Sequence, residues 1–375
     1  MALARVLCEV LVGRESEISL LEDAMLATLR GDGGVVIVGG EAGMGKTRLV
    51  ADLVTRARRR GCVVVSGVCS EAELSLPYLP FLEAIGNYLA REDVAALRER
   101  LGPAADDLAQ LFPQMGRPHP QGGEAQQAKL RLFESILLLL RDAARSSALL
   151  VVLEDLHWAD PATRELLDYA TRRLRSTNVL ILATYRTDEM HRKHALLPTI
   201  EGWRRSGQVQ MIELKALQPE GVAGIVCTIF EESGISDEFR DFLYERSEGN
   251  PFVVEEMLRD ALDRGDIFHT AQGWDRKAVN EIRIPRTVKD TILQYQRPGE
   301  LVLGDVGTSP LELAGAYAAV ANNGKFNAPA PILSITDENG KAIPVRRSPG
   351  VQVVAPQVAM TAVNILTGDT TGVGT

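Results

Sequence analysis

A glycine-rich segment between an apolar run and an amphipathic stretch constrains this chain more than any other feature. Residues 40–47 read Gly-Glu-Ala-Gly-Met-Gly-Lys-Thr, the G-x-x-x-x-G-K-T spacing of a phosphate-binding loop. The run Val35-Val36-Ile37-Val38 precedes the loop, and apolar residues at helical spacing follow it. In the order strand, loop, helix, the backbone N–H groups of the loop and of the helix start point at a phosphate. The segment therefore predicts a nucleotide site.

The residue types in this loop suggest a role for each. Gly40, Gly43 and Gly45 allow the backbone to curl around a phosphate. Lys46 is predicted to reach the β- and γ-phosphates, and Thr47 is predicted to hold Mg²⁺. The alternative is a glycine-rich turn before an ordinary helix, but a chance match rarely brings both flanking elements with it. We expect ATP or ADP with Mg²⁺ as the ligand.

Two later apolar runs end in polar residues. The run at 148–153 is followed by Glu154 and Asp155, and the run at 179–183 is followed by Thr184, Tyr185 and Arg186. The carboxyl ends of parallel strands meet at the edge of the sheet where ligands bind. Two carboxylates there can manage a metal ion and an attacking water, and an arginine there can sense the γ-phosphate. Their alternatives are an acidic pair that caps the next helix and an arginine that is simply solvated.

Charge, cysteine content and hydropathy narrow the class of protein. The chain has 375 residues and a formal net charge of −9, which argues against sequence-independent nucleic-acid binding. Its four cysteines are scattered without a C-x-x-C pair, so neither a disulfide framework nor a zinc site is indicated. No apolar run is long enough to cross a bilayer, and no signal peptide is recognisable. We expect a cytoplasmic protein without a membrane partner.

The order of elements predicts the fold class. Strands alternate with helices to about residue 205, with a helical insertion at about 76–146 that contains a polar linker at 116–123. From 211 to about 270 the pattern is helical. We therefore predict an α/β fold, a P-loop NTPase with a parallel sheet flanked by helices, followed by a helical lid. The expected domains are 1–205, a lid and the start of a winged-helix region at 206–293, and a third part at 294–375.

Seven motifs in order resemble one family. The chain is similar, from residue 11 to about 293, to STAND-class P-loop ATPases, in particular the ATPase module of large LuxR-type bacterial transcriptional regulators and related cyclase-linked ATPases. The motifs are Leu11-Val12-Gly13-Arg14-Glu15, the phosphate-binding loop, Leu76-Pro77-Tyr78-Leu79-Pro80-Phe81, Leu153-Glu154-Asp155-Leu156-His157-Trp158-Ala159-Asp160, Thr184-Tyr185-Arg186, Gly249-Asn250-Pro251-Phe252 and Ile284-Pro285-Arg286-Thr287-Val288.

The resemblance implies contacts with the base of the nucleotide. Val12, Gly13 and Arg14 would flank the adenine, and Pro251 would touch the base from the lid. The resembled regulators continue into helical repeats and a DNA-binding domain, and neither is recognisable in this sequence. The resemblance allows for self-association or a regulatory partner.

The resemblance also implies roles at the phosphate end. Glu154 would assist Mg²⁺, Asp155 would polarise the attacking water, and Arg186 would act as the sensor. His157 and Trp158 belong to the motif, but no chemistry demands them, and we assign both to packing. The expected activity is slow ATP hydrolysis that resets a signal-transduction switch. A nucleotide-binding scaffold that never hydrolyses ATP is the alternative.

Residues 299–375 carry a different resemblance, to an internal piece of a class A penicillin-binding protein transpeptidase domain, which would be a small α+β fragment. The pattern predicts a helix over 310–324, a hairpin around Asn339-Gly340 and a last helix that opens at Pro356. These transpeptidases acylate a serine in S-x-x-K, with partners in S-x-N and K-T-G, and the tail contains none of the three. We expect the tail to be a truncated fragment without that activity.

Overall fold

The computed structural model describes most of the first three quarters of the chain and a few short strands after that. The described residues are 8, 10–70, 76–117, 125–190, 194–230, 235–270, 273–282, 325–326, 335–336, 342–343 and 351–352. The chain divides into two units, Met1–Gln294 and Tyr295–Thr375.

A five-stranded parallel sheet forms the centre of the first unit. Its strands are β1 (Gly34–Gly40), β2 (Val63–Val68), β3 (Leu149–Glu154), β4 (Val179–Arg186) and β5 (Gln210–Leu214). They lie in the order β2-β3-β4-β1-β5, and all neighbours are parallel. Helices cover both faces, so β1, β3 and β4 are buried almost throughout and read as continuous apolar runs. The predicted fold class, α/β with a parallel sheet flanked by helices, is confirmed.

Six helices flank the sheet before β5. They are α1 (Glu15–Leu29), α2 (Lys46–Arg59), α3 (Leu79–Leu89), α6 (Ala125–Ala143), α7 (Pro161–Thr171) and α8 (Leu197–Ser206). Alternate residues of each strand enter two different cores. Val36 and Val38 of β1 lie in one core with residues of α1 and α2, whereas Val35 and Ile37 lie in the other with residues of α3, α6, α7 and α8. The sheet is thereby fixed from both sides.

Helices occupy the chain between β2 and β3, where the insertion is predicted. Besides α3 and α6 they include α4 (Val94–Leu101) and α5 (Ala104–Leu108). Asp93 caps α4 by accepting hydrogen bonds from two backbone N–H groups of its first turn. Most of the predicted polar linker at 116–123 lies outside the described residues.

Helices α9 (Pro219–Phe230), α10 (Asp237–Ser247) and α11 (Pro251–Asp263) follow the sheet. They share a core of their own, to which Val222, Leu243, Val253 and Leu258 contribute. An antiparallel pair, β6 (Ile267–Thr270) and β7 (Gly273–Arg276), comes after α11. These helices lie in the range predicted as a lid, and that name is kept for them below.

The expectation that the chain is purely helical from residue 211 to about 270 is wrong, because β5 and β6 lie in that range. Strand β5 is an edge strand, paired on one side only with β1. Ile212 and Leu214 are buried while Glu213 between them is exposed. So short an alternation, containing a charged residue, does not stand out from the surrounding helical pattern.

The second unit is described only through four two-residue strands. Strand β8 (Lys325–Phe326) pairs antiparallel with β11 (Val351–Gln352), and β9 (Ile335–Thr336) pairs antiparallel with β10 (Ala342–Ile343). The second pair confirms the hairpin predicted around Asn339-Gly340. The helices predicted over 310–324 and from Pro356 lie outside the described residues. None of the described helices of the chain is both long and apolar enough to cross a bilayer.

Candidate nucleotide site

The predicted phosphate-binding loop joins the end of β1 to the start of α2. Gly45 adopts a left-handed conformation (φ +90°) directly before the helix, and Lys46 is its first residue. The Lys46 ammonium donates hydrogen bonds to the carbonyl oxygens of Gly40 at 2.7 Å and Glu41 at 2.9 Å. Burial lowers the pKa of this ammonium. The lysine therefore lies folded over the loop, with its charge next to the space that a phosphate would fill.

Strand β3 brings Glu154 to the same edge of the sheet. Thr47 is the second residue of α2, and its side chain affects the pKa of the Glu154 carboxyl. Burial raises the pKa of Glu154, the Thr47 side chain lowers it, and Asp155 raises it. A hydroxyl and a carboxylate are hard oxygen ligands of the kind that Mg²⁺ takes. The donor set at Thr47 and Glu154 thus fits the predicted metal.

Asp155 follows in a left-handed conformation (φ +59°), which is uncommon for a residue with a side chain. Its backbone N–H donates to the Thr184 hydroxyl of β4 at 3.1 Å. Burial raises the pKa of its carboxyl, and the cationic Arg186 and Lys46 oppose that rise. The carboxylate is therefore kept near two cations at the edge of the sheet. Sequence reasoning did not foresee that Thr184 fixes this turn.

Arg186 ends β4, next to Gly40 of β1 in the parallel register. Its guanidinium donates to Glu189 at 2.8 Å and lies 5.5 Å from the centre of the Trp158 ring. His157 stacks obliquely on Trp158 at 4.5 Å between ring centres. The packing role predicted for these two rings is therefore present, but His157 also has polar neighbours that the prediction lacked.

One cavity of about 300 Å³ brings most of the predicted residues together. From the loop and α2 it is lined by Ala42, Gly43, Gly45, Lys46, Thr47 and Arg48; from β3, β4 and the lid, by Asp155, Arg186, Pro251, Phe252 and Glu255. Three strand ends, one helix start and the lid thus converge on a single space. Its volume is at the low end of the range for ligand pockets.

The remaining predicted residues lie beside this cavity and do not line it. Gly40 contributes its carbonyl to Lys46, and Glu154 is the last residue of β3. Arg14 is buried and donates to the Met44 carbonyl of the loop at 3.2 Å. Burial lowers the pKa of its guanidinium.

Val12 and Gly13 pack against α9 and the residues just before it. A side chain at Gly13 would meet Leu217 at 3.0 Å, and one at Gly224 would meet Val12 at 2.6 Å. The segment from Val12 to Arg14 thus connects the loop to the lid. Its contact with the adenine base stays a prediction.

Asn250 joins the lid to the loop through a contact that the sequence analysis did not predict. Its side-chain amide donates to the Ala42 carbonyl at 2.9 Å, and its oxygen caps α11 by accepting from Phe252 and Val253. The Phe252 N–H also donates to the Gly43 carbonyl at 3.3 Å. An asparagine followed by proline at a helix start is the pattern of an N-cap, so the cap was readable, but its bond to the loop was not.

A second connection between lid and loop is an ion pair. Arg48 of α2 donates to the Glu255 carboxylate of α11 at 2.6 Å, and the Cys8 N–H donates to the same oxygen at 3.2 Å. Glu255 is buried, so the pair lies in an environment that screens charge weakly. The start of α11 is thus tied to the phosphate-binding segment at three points.

Comparisons with known proteins find a family match in the first half of the chain. Residues 10–182 match the family model described as the AAA ATPase domain. An uncharacterized protein of Rhizobium meliloti (strain 1021) is 27% identical over 194 residues. That alignment covers 47% of this chain and 18% of the relative, so the chain spans only a small part of the relative's length.

Several solved structures are distantly similar. The Orc1 protein of Aeropyrum pernix in complex with DNA has a TM-score of 0.40 at 19% identity, with 86% of this chain and 74% of that chain covered. A STAND protein with a tetratricopeptide repeat sensor from Pyrococcus horikoshii has a TM-score of 0.41 at 15% sequence identity. The alignment covers 89% of this chain and 40% of that chain. A Walker-type ATPase of Pyrococcus abyssi has a TM-score of 0.43 at 13% sequence identity. The alignment covers 96% of this chain and 98% of that chain.

The family match starts just before the α1 segment and ends within β4, so it contains the loop, β3 and the acidic pair. The site built from these residues has the loop lysine, the strand-end carboxylates and the parallel sheet that such a domain requires. Residues 10–182 are therefore similar to the AAA ATPase domain family, whose members are nucleotide-binding modules.

Proposed function

We propose that the chain binds ATP or ADP with Mg²⁺ in the cavity at the phosphate-binding loop and hydrolyses ATP slowly. The observation that carries the proposal is the convergence of Lys46, Thr47, Asp155 and Arg186 on one space, which Pro251 of the lid also lines. Cations there stabilise the phosphates, and a carboxylate there can act on a water.

Each side chain has a part in this proposal. The Lys46 ammonium exchanges its two loop carbonyls for phosphate oxygens, which are stronger, charged acceptors. Thr47 and Glu154 would hold Mg²⁺, which when bound would neutralise charge on the phosphates. Asp155 accepts a proton from the attacking water or orients it, and Arg186 reaches toward the γ-phosphate. Burial raises the pKa of Asp155, which makes its carboxylate a better base.

Slow hydrolysis suits a switch whose two states differ in the lid. The Asn250 amide and the Phe252 N–H hold the loop carbonyls of Ala42 and Gly43. A nucleotide that moves the loop moves these acceptors, so the lid position and the nucleotide state are linked. A ligand shifts such an equilibrium by its difference in affinity for the two lid positions.

The wider role that we propose is the switch module of a cytoplasmic bacterial transcriptional regulator of the LuxR type. Support comes from the seven motifs in order, among which Gly249-Asn250-Pro251-Phe252 lies at the site and binds the loop. Self-association or a regulatory partner would then read out the lid position.

Phosphate release tests the enzymatic part of the proposal. With saturating ATP and Mg²⁺, Asp155→Asn should keep nucleotide affinity and lower the rate by about 100-fold, as expected for loss of a general base. Lys129→Ala, on α6 and remote from the cavity, is the control and should behave as the parent. A parent that binds ATP but releases no phosphate would identify the non-hydrolysing scaffold instead.

For residues 294–375 we propose no penicillin-binding activity, because the three motifs of the resembled transpeptidases are absent. A fluorescent penicillin should leave the chain unlabelled. Covalent labelling of any serine of the tail would contradict this part of the proposal.

A further inference from the structure

His157 has polar surroundings that a packing role does not require. It lies in the turn directly after Asp155, and its side chain is fully buried (0% exposed). The backbone N–H of Arg186 approaches its Nδ1 at 3.4 Å. Nδ1 is therefore the acceptor nitrogen, which in a neutral imidazole leaves the proton on Nε2. The ring is thus oriented by the end of β4.

The protonated nitrogen faces a carboxylate. His157 Nε2 lies 3.3 Å from Oε2 of Glu189, in a contact that is close but not aligned as a full hydrogen bond. The other oxygen of the same carboxylate, Oε1, accepts from the Arg186 guanidinium at 2.8 Å. Hydrogen bonds at catalytic sites are often long without ligand and tighten when it binds. A closed path runs from the Arg186 backbone through His157 and Glu189 to the Arg186 guanidinium.

The neutral state of His157 suits this arrangement. Burial, together with the nearby cations of Arg186 and Lys46, lowers the pKa of the imidazole to about 3. A neutral ring adds no charge that would repel the guanidinium. An apolar ring would fill the same volume at less desolvation cost, so the polarity of His157 calls for a role beyond packing.

We propose that His157 is a positioning residue that holds the Arg186 guanidinium at the nucleotide cavity by orienting Glu189. Trp158 supports the guanidinium from its ring face. The inference rests on the proposed function, because the γ-phosphate of ATP is the group that Arg186 would recognise. Its consequence is that His157, which touches no ligand, sets the preference of the site for a triphosphate over a diphosphate.

Calorimetry with Mg²⁺ and either ADP or the ATP analogue with a methylene between the β- and γ-phosphates tests this. Arg186→Ala should lower the preference for the triphosphate by about 100-fold, and His157→Phe by about tenfold, while ADP affinity stays within about twofold. His157→Gln, which can donate to Glu189, should recover most of the preference. His269→Phe makes the same chemical change at an exposed position of β6 and should alter nothing.

A double variant separates positioning from stability. Adding His157→Phe to Arg186→Ala should lower the triphosphate preference no further, because both changes remove the same interaction. An unchanged preference in His157→Phe, an additive loss in the double variant, or an equal loss of ADP affinity would each overturn the inference. A parent chain that binds neither nucleotide would overturn the proposed function itself, an outcome that appears before any variant is compared.

Discussion

Asn250 joins the lid to the phosphate-binding loop, and two substitutions separate its two contacts. Its oxygen caps α11, and its amide N–H donates to the Ala42 carbonyl. Loss of an N-cap costs about 1 kcal/mol, and loss of a buried hydrogen bond costs about 1 kcal/mol more. Asn250→Ala, which removes both contacts, should therefore lower the free energy of unfolding by about 2 kcal/mol.

Asn250→Ser keeps a capping oxygen but cannot reach the loop, so its cost should be about 1 kcal/mol. Asp93→Ala is the matched control, because it removes an exposed N-cap at α4 and should also cost about 1 kcal/mol. Urea unfolding gives these free energies, and hydrogen exchange at Phe252 and Val253 shows whether α11 frays at its start.

The two Asn250 variants should both weaken ADP binding, whereas Asp93→Ala should leave it unchanged. The alanine and serine variants differ only in the cap, so equal destabilisation by the two would refute the capping argument. Parent-like ADP affinity in both would refute the claim that the lid acts on the loop through this residue.

Two further predictions concern single positions at the site. His157 should stay neutral in the folded chain. The stability that the neutral ring contributes is therefore fully present at pH values above its ordinary pKa of 6.5 and is lost as the pH falls toward about 3. Between pH 7 and pH 5 the parent should lose about 2 kcal/mol more unfolding free energy than His157→Phe, measured in urea, and equal losses would contradict a neutral buried ring. Gly43→Ala should cost at least about 1 kcal/mol and weaken nucleotide binding, because φ is +79° and the new Cβ would lie 2.5 Å from Asn250 Oδ1. Gly61→Ala is the control, because Gly61 also has a left-handed backbone (φ +76°) but open space around its Cβ position. Equal effects of the two substitutions on nucleotide binding would contradict a clash between the new Cβ at residue 43 and Asn250.

The sequence was sufficient to predict the central strands and the site edge. Strands β1, β3 and β4 are buried on both faces, so each is a continuous apolar run with a sharp end. Parallel strands bring their carboxyl ends together, and this made Asp155 and Arg186 readable as neighbours of the loop. The loop itself is local in sequence, so its spacing alone predicted Lys46 and Thr47 at the start of the helix after β1, and their contact with phosphates stays a prediction.

Features that depend on distant pairing were not predictable in the same way. The edge strand β5 has a short alternating pattern that a helix can share, and the place of β4 between β1 and β3 depends on non-local pairing. The polar contacts of His157 need Glu189, 32 residues later in the chain and on the loop after β4. The bond from Asn250 to Ala42 spans 208 residues. Burial indicates that such residues have a fixed position, but only the tertiary structure shows which residues they contact.

Titration of ADP and Mg²⁺ into the parent and into Lys46→Ala tests the central claim most directly. The loop spacing predicts that Lys46 meets the phosphates, and its hydrogen bonds to Gly40 and Glu41 and its place in the cavity lining are consistent with that role. Calorimetry should show saturable binding to the parent and an affinity lower by about 100-fold in the variant, because a charge-assisted contact to phosphate is worth about 3 kcal/mol. Equal affinity in the parent and Lys46→Ala would contradict the assignment of this loop as the nucleotide site.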